Sequence, residues 1–585
     1  MMPQHSSWNR RVFKARLPDA RGPREGAENG PGQKTLANRC WETVKFAHMI
    51  LFLLLSHYPE YTLDTVRVLG TRLPAGFSGA MTSVWTLDSS WLRSAPWQSA
   101  ERALALSPGV HLSARGMPGV QADISSGAGN YAQTAILLNG VRCDDPQTAH
   151  HNLDLPLGIV DLGRVEIARG GASSLAGPGA SSGAVNLVTG DPVDGVLSDA
   201  FAAGFGTCGG RAETGNGKLS LGLSGARSDG YRSGSDYRMW RVFQKTSLGD
   251  AKAFASYSWK RFGARDFYAP YPSREWTSCG ILTLNWKGLS AGARRHTDRF
   301  VLLEDDPELY ENNHTKTSAL CSWSAGLGPG FWGLEISWWE LRSDRLGYHQ
   351  APGAAIFYQA GLGFGPLRLA IGVREDWREG TGFAPSLNAG FSCTFWEITG
   401  RVSGSLATRF PSATELYYQD PKNSGNPNLL PERTMRAELA LGWRWLEMGG
   451  FAVRFDELID WAKNPDGVWE ARNIRGVRGY GAWAEARSRW FFVGWWHQRK
   501  EAQEEYESKY ALRTPSNSVK AGIPWIFLSW EDGTCLVSGQ VSLGRGPFSM
   551  SLFGDNLLNQ SYETVPGLPG PPRTLGMGLQ YFIRG

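Results

Sequence analysis

Residues 164–190 read RVEIARGGASSLAGPGASSGAVNLVTG, from Arg164 to Gly190. Arg164 to Arg169 alternates charged with apolar side chains, the pattern of a half-buried strand. A run of Gly, Ser and Ala comes next, with almost no side chain large enough to build a helix face. Ala184 to Val188 closes it as a second short apolar strand. Two strands joined by such a loop suit a place where backbones pass close together. Read alone, the stretch fits an ordinary glycine-rich hairpin equally well, and the chain beyond residue 190 separates the two readings.

After about residue 195 the texture is uniform. Leu219, Leu221 and Leu223 alternate with serine and glycine, and Trp332, Leu334, Ile336 and Trp338 with Gly333, Glu335 and Ser337. The same period of two recurs at Leu367–Arg374, Ala437–Trp443 and Leu575–Gln580. One face is apolar and the other polar or small, as in a strand between lipid and a wet lumen. Tryptophans near segment ends (Trp259, Trp286, Trp338, Trp443, Trp445) fit interfacial girdles. A large soluble β-sandwich or propeller is the competing reading. The secretion signal at Phe46–Ser56, the absence of a blade-length repeat and the aromatic content weigh against it.

Composition agrees. The 585 residues include 72 glycines and 25 tryptophans, with mean hydropathy −0.31. No run of 18 or more uncharged apolar residues exists, so a spanning helix is not expected, a test that β-strands escape. The apolar run Phe46–Ser56 (FAHMILFLLLS), preceded by Lys45, fits the core of a secretory signal peptide. Residues 1–56 therefore read as leader and signal, with 1–43 as a mis-assigned start and translation beginning near Val44. The seven cysteines are scattered with no CxxC pair, and the net charge of +5 gives no case for nucleic acid. GxxxxGK[ST], HExxH and GxSxG are all absent, so no enzyme is expected and any uphill transport must draw energy from elsewhere.

Five pieces in order then carry a resemblance. Asp64, Thr65, Val66, Arg67 and Val68 look like an energy-coupling box, and Leu106 to Val110 like an LPGV turn. Ile136 to Arg142 resembles VLIDGVR, Arg164 to Gly170 resembles RVEVLRG, and Gly183 to Val188 resembles GGVINII. Pro427 to Glu432 is similar to NPNLKPE, and Gly554 to Tyr562 to VxNLFDKxY. Together these resemble the TonB-dependent outer-membrane receptors over nearly everything after residue 60. The resemblance implies a transmembrane β-barrel of about 22 antiparallel strands with an N-terminal α+β plug domain in its lumen. It divides the chain into a coupling segment at 57–72, a plug at 73–192 and a barrel at 193–585. About 390 barrel residues accommodate that number at roughly 9–11 residues per strand. Arg261–Ser278, Leu303–Lys316 and Pro411–Pro431 stand out as long loops. Phe582 would serve as the assembly signal from an internal position.

The resemblance further implies a monomer in the outer membrane of a diderm bacterium. It would take up a scarce nutrient, powered by the TonB protein gripping Asp64–Val68. Cobalamin or another corrinoid ranks first, because RFPSATELYY (Arg409–Tyr418), GNPNLLPE (Gly425–Glu432) and the loop after Arg261 look most like that branch. Ferric siderophores and haem are the alternatives; no histidine lies between Phe410 and Asn426, where haem-receptor relatives place one. A passive porin or adhesin barrel is the alternative of another class, opposed by some 130 non-barrel residues after the signal. The candidate ligand contacts lie on two plug loops, Asn130, Tyr131 and Gln133, then Asp144, Asp145, His150, His151 and Asn152. Barrel loops add Tyr268, Tyr271, Tyr417 and Tyr418. His150 and His151 read either as iron ligands or as a solvated pair. No cofactor is required, but Asp305, Asp306 and Glu308, beside Glu311, form an acidic cluster that could hold calcium.

Overall fold

In a computed structural model, which describes residues 80–95, 99–268 and 270–585, the alternating segments become 22 antiparallel strands closed into a barrel. Asp194–Ala203 is the first strand and Thr574–Ile583 the last. These two pair with each other, Gly576 opposite Ala203 and Phe582 opposite Leu197, so no strand edge is left open. The leader at 1–56 and the coupling segment Asp64–Val68 lie outside the described residues. No described helix is long and apolar enough to cross a membrane.

The two faces of the wall separate as the period of two requires. Leu221, Leu223, Ile336, Leu439, Leu441 and Met577 point outward, Ile336 with 66% of its surface bare. In water such a belt would aggregate; against lipid it is the favoured arrangement. Inward positions on other strands of the wall carry Glu213, Lys245, Arg294 and Lys520, all buried. Those charges face neither lipid nor bulk water, so something must fill the lumen.

The two rims differ. At one end the strands join through two-residue turns such as Lys287–Gly288 and Gly328–Pro329. Lys287 (φ 41°) and Gly288 (φ 97°) both take the left-handed backbone that a tight hairpin needs. At the other end many connections are long: 264–273, 302–310, 410–431, 457–476, 502–516 and 556–573. The loops expected at 261–278 and 303–316 are thus shorter than read. Strand pairing runs on through Gly263, resumes at Arg274, and resumes again at Glu311. Toward this rim polar residues such as Arg274, Glu275, Asn312 and His314 join the strands, so the alternation fades while the backbone ladder continues.

The stretch 164–190 lies inside the cylinder. Leu162–Arg169 and Gly183–Thr189 pair antiparallel, Val165 opposite Leu187 and Ile167 opposite Val185. They are the second and third strands of a five-stranded plug sheet completed by Val84–Asp88, Thr134–Leu138 and Val141–Arg142. The hairpin reading is therefore too small: these strands form the centre of a plug. Their apolar faces join a core that includes Trp85, Ile136 and Leu138 and extends to Phe243, Phe254, Phe492 and Phe527 of the wall. The small-residue loop between them wedges against the barrel. A Cβ added at Gly171 would lie 2.0 Å from the Ser405 hydroxyl oxygen, so only glycine allows the approach.

Candidate functional site

At the long-loop end a second plug hairpin, Val110–Arg115 with Gln121–Ser126, carries Arg115, Gln121 and Asp123. Gln121 and Asp123 are two apart and share one face of the strand. The Arg115 guanidinium donates to Asp123 Oδ2 at 2.6 Å, and His150 Nδ1 meets the same oxygen at 2.8 Å. His150 Nε2 lies 3.1 Å from the Tyr131 hydroxyl, and the two rings stack with centroids 4.3 Å apart. Tyr510, from barrel loop 502–516, meets Tyr131 edge-on at 5.3 Å and His150 at 5.4 Å. On the other side Gln121 Nε2 donates to the Tyr268 hydroxyl at 3.0 Å, and Tyr268 belongs to loop 264–273. A continuous chain of rings and hydrogen bonds thus runs from one barrel loop, across the plug apex, to another.

Burial alone would raise the Asp123 carboxyl; Arg115 first and His150 second outweigh it and hold it below the usual carboxylate range. The phenols move the other way. Burial lifts Tyr131 well above its ordinary value and pushes Tyr510 up to about 12. Both rings therefore stay neutral, offering faces and hydroxyl donors rather than phenolate ligands. Beside them a crevice of about 150 Å³ opens between the apex and the wall, lined by Tyr131, Asp144, Thr148, Arg378 and Phe410.

The expected residues fall into three groups. Tyr131 and His150 join the apex chain, with Tyr268 at its far end and Tyr271 exposed on the same loop. Asn130, Gln133, Asp144, Asp145 and Asn152 shape the loops instead. Asn130 accepts from Ala132 N, Gln133 donates to wall Glu432, and Asp144 accepts from Ile136 N at 3.1 Å. Asp145 accepts from Gln147 N, and Asn152 accepts from Asp145 N at 2.8 Å. Tyr417 and Tyr418 pack within the loops, Tyr417 stacked on His349 at 3.9 Å and Tyr418 3.1 Å from the Tyr310 hydroxyl.

Two expectations need correcting. His150 and His151 are not a solvated pair: both nitrogens of His150 are engaged, and His151 is buried against His296 with ring centroids 4.9 Å apart. Asp305, Asp306 and Glu308 are exposed along loop 302–310 and do not converge. Among the described residues the groups whose donor atoms do converge are His151, Asp154 and His296, and His151, Glu275 and Asp298. Arg115, Gln121, Asp123 and Tyr510 were missed. Only the alternation of Gln121 and Asp123 could have pointed to them.

Below the apex the plug is held by separate charged contacts. Arg169 pairs with Glu485 at 2.6 Å, and Asp161 with Arg241 at 2.6 Å. Asp154 meets Lys260 at 2.6 Å, and Arg142 approaches Glu335 at 3.9 Å. Such a seam fixes position, yet it can part without stripping one continuous apolar face.

Against known families, residues 78–184 match the TonB-dependent receptor plug domain, and residues 173–581 match the TonB-dependent receptor-like β-barrel. The chain is 22% identical over 489 residues to the vitamin B12 transporter BtuB of Photobacterium profundum, covering 71% of this chain and 77% of the relative. It is 30% identical over 122 residues to BtuB of Vibrio vulnificus, covering 20% and 18% of the two chains. Among solved structures it is similar to the FrpB iron transporter of Neisseria meningitidis (TM-score 0.68, 14% identity, 86% of this chain and 99% of that one). The siderophore receptor PirA of Pseudomonas aeruginosa is also similar (TM-score 0.63, 16% identity, 86% and 99%). At such identities the structural likeness speaks for the fold.

Proposed function

Since the chain belongs to the TonB-dependent receptors of the outer membrane, we propose that its nutrient is cobalamin or a related corrinoid. The observation that carries this reading is the apex of aromatic rings and amide groups, Tyr131, His150, Tyr510, Gln121 and Tyr268. A corrinoid is broad and edged with amides, so stacking faces and hydroxyl or amide donors suit it. The B12 transporters among the relatives support the same choice. Iron ligation by the apex histidines would have to break the hydrogen bonds of His150 and uncover His151.

Transport is a consequence of the architecture. The nutrient binds from the long-loop side, and the TonB protein grips Asp64–Val68 by strand addition. A pull on that segment parts the ionic seam and clears a path through the lumen. Energy arrives mechanically from the inner membrane, because the outer membrane supplies none.

Binding tests the reading. The purified receptor in detergent is titrated with cyanocobalamin, a ferric hydroxamate siderophore and haemin, each with and without calcium. Saturable binding of cyanocobalamin is expected, weakened about tenfold by Tyr131→Ala, as loss of one stacked ring implies (roughly 0.5–1.5 kcal/mol beyond area burial). Binding of the siderophore or haemin with none of cyanocobalamin would overturn the corrinoid assignment.

A further inference from the structure

Three neighbouring wall strands aim an unusual set of side chains at the plug. Their register places Cys279 opposite His296, His296 opposite Lys316, and Asp298 opposite His314. Residues two apart share the lumen face, so Arg294, His296 and Asp298 line up on one strand, with Asn312, His314 and Lys316 on the next. Glu275 joins them from the strand before. The plug answers with Asp145, His151 and Asp154 from a single loop. All of these side chains are buried.

Buried charge needs compensation, and here it is incomplete. Lys316 lies 2.6 Å from Asp298 Oδ1 and 3.4 Å from Asp145 Oδ2, and Lys260 lies 2.6 Å from Asp154 Oδ1. Arg294 sits 3.9 Å from Asp145. Glu275 takes part in no ion pair among the described residues. Four carboxylates (Asp145, Asp154, Glu275, Asp298) thus share the seam with Lys260, Arg294 and Lys316, and none of these cations pairs with Glu275. Hydrogen bonding is incomplete in the same place. Asp145 Oδ2, Glu275 Oε2, His296 Nδ1, Asn312 Oδ1 and His314 Nδ1 are buried without a hydrogen-bond partner. Orphaned atoms of this kind are rare in native interiors and mark a missing water or ion.

We propose that this seam between plug and wall is a divalent transition-metal site, with His151, Asp154 and His296 as ligands. Their donor atoms all lie within 4.8 Å of one another, and His296 Nε2 is 2.9 Å from Asp154 Oδ2. Zinc bonds of about 2.0–2.2 Å to such ligands set donor atoms about 3.4 Å apart in a tetrahedron, a spacing inside that 4.8 Å envelope. Glu275 and Asp298 converge with His151 as the second carboxylate pair within reach. Two imidazoles with carboxylate oxygen select zinc, cobalt(II) or iron(II) over calcium or magnesium. Such an ion would tie the plug loop to the wall through ligands from both.

The test uses the whole receptor in detergent, stripped with a chelator and given the metal alone. Zinc is followed by calorimetry and cobalt(II) by its visible absorption. One ion per chain is expected, with the intense bands of a low-coordinate cobalt site and a higher unfolding temperature with zinc. His151→Gln, on the plug, and His296→Gln, on the wall, should each weaken zinc binding at least tenfold and abolish the thermal shift. His497→Gln, outside the cluster, should change neither. Asp154→Asn keeps the side-chain shape and serves if a histidine variant fails to fold. No saturable binding, unchanged affinity in the ligand variants, or a weak water-like cobalt spectrum would overturn the assignment. None of these readouts involves the nutrient, so they leave the transport reading untouched.

Discussion

Asp123 shows how much one side chain holds at the apex. It is buried and receives both Arg115 and His150 on one oxygen, and through His150 it sets the Tyr131 ring. Asp123→Asn keeps the shape and removes the charge that Arg115 pairs with. The loss is expected at about 3–5 kcal/mol of local stability, the usual cost of breaking a buried pair. The sign with pH comes from the lowered carboxyl. A carboxylate depressed by folding adds stability above its unfolded value and loses it as pH falls through the folded one. Acid unfolding followed by tryptophan fluorescence should therefore show a loss below about pH 4 that Asp123→Asn diminishes. An identical acid limb in the variant would remove Asp123 from this role. At this scale the sequence is legible only in part. Tyr131 and His150 stand out because stacking rings on a small-residue loop invite contact. Their partner Asp123 lies 27 residues from His150, and His296 lies 142 from Asp154. Nothing local announces either pairing; both depend on how the plug seats in the wall.

Among elements, the hairpin Leu458–Lys463 with Trp469–Ile474 stands over the lumen and governs loop 502–516. Its buried Asp460 accepts from Tyr510 N and Ala511 N at 3.3 Å each, from the Tyr506 hydroxyl at 3.2 Å and from the Ser508 hydroxyl. A single carboxylate thus gathers the loop that carries Tyr510 to the plug. Asp460→Ala should release the loop and speed tryptic cleavage after Lys509 and Arg513 severalfold. It should also weaken nutrient binding about as much as Tyr510→Ala does. In a Tyr510→Ala background it should weaken binding no further, since both changes remove the same contact. Additive losses would mean that Asp460 acts elsewhere. The strands themselves were legible, because lipid on one side and a wet lumen on the other impose strict alternation on Leu219–Leu223 or Leu575–Leu579. The 457–476 hairpin was not. One face packs on the wall (Leu458 and Ala462 with Phe455) and the other on loop 410–431 (Ile459 and Trp461 with Leu429), so no single face is marked apolar.

The described residues form a cylinder closed by pairing its last strand with its first and filled by the plug sheet. Family and architecture were readable because five short motifs fall in order and the strand count fits the length. The cargo was less readable, since its contacts come from loops whose packing no periodicity governs. The distribution of forces explains how such a filled pore can work. The plug's apolar core continues into wall residues such as Phe243, Phe254, Phe492 and Phe527, and beside these contacts the seam carries discrete, divisible ion pairs. A pulled plug can yield there, whereas an unpulled one stays shut. Uptake of labelled cyanocobalamin tests this most directly, in diderm cells that lack their own receptor and carry either this chain or Val66→Pro. Proline at 66 removes a backbone donor from the segment offered for strand addition. The account predicts that both forms bind the label at the surface and only the unaltered chain accumulates it. Equal accumulation by Val66→Pro, or accumulation that persists when the energy-coupling partner is deleted, would contradict it.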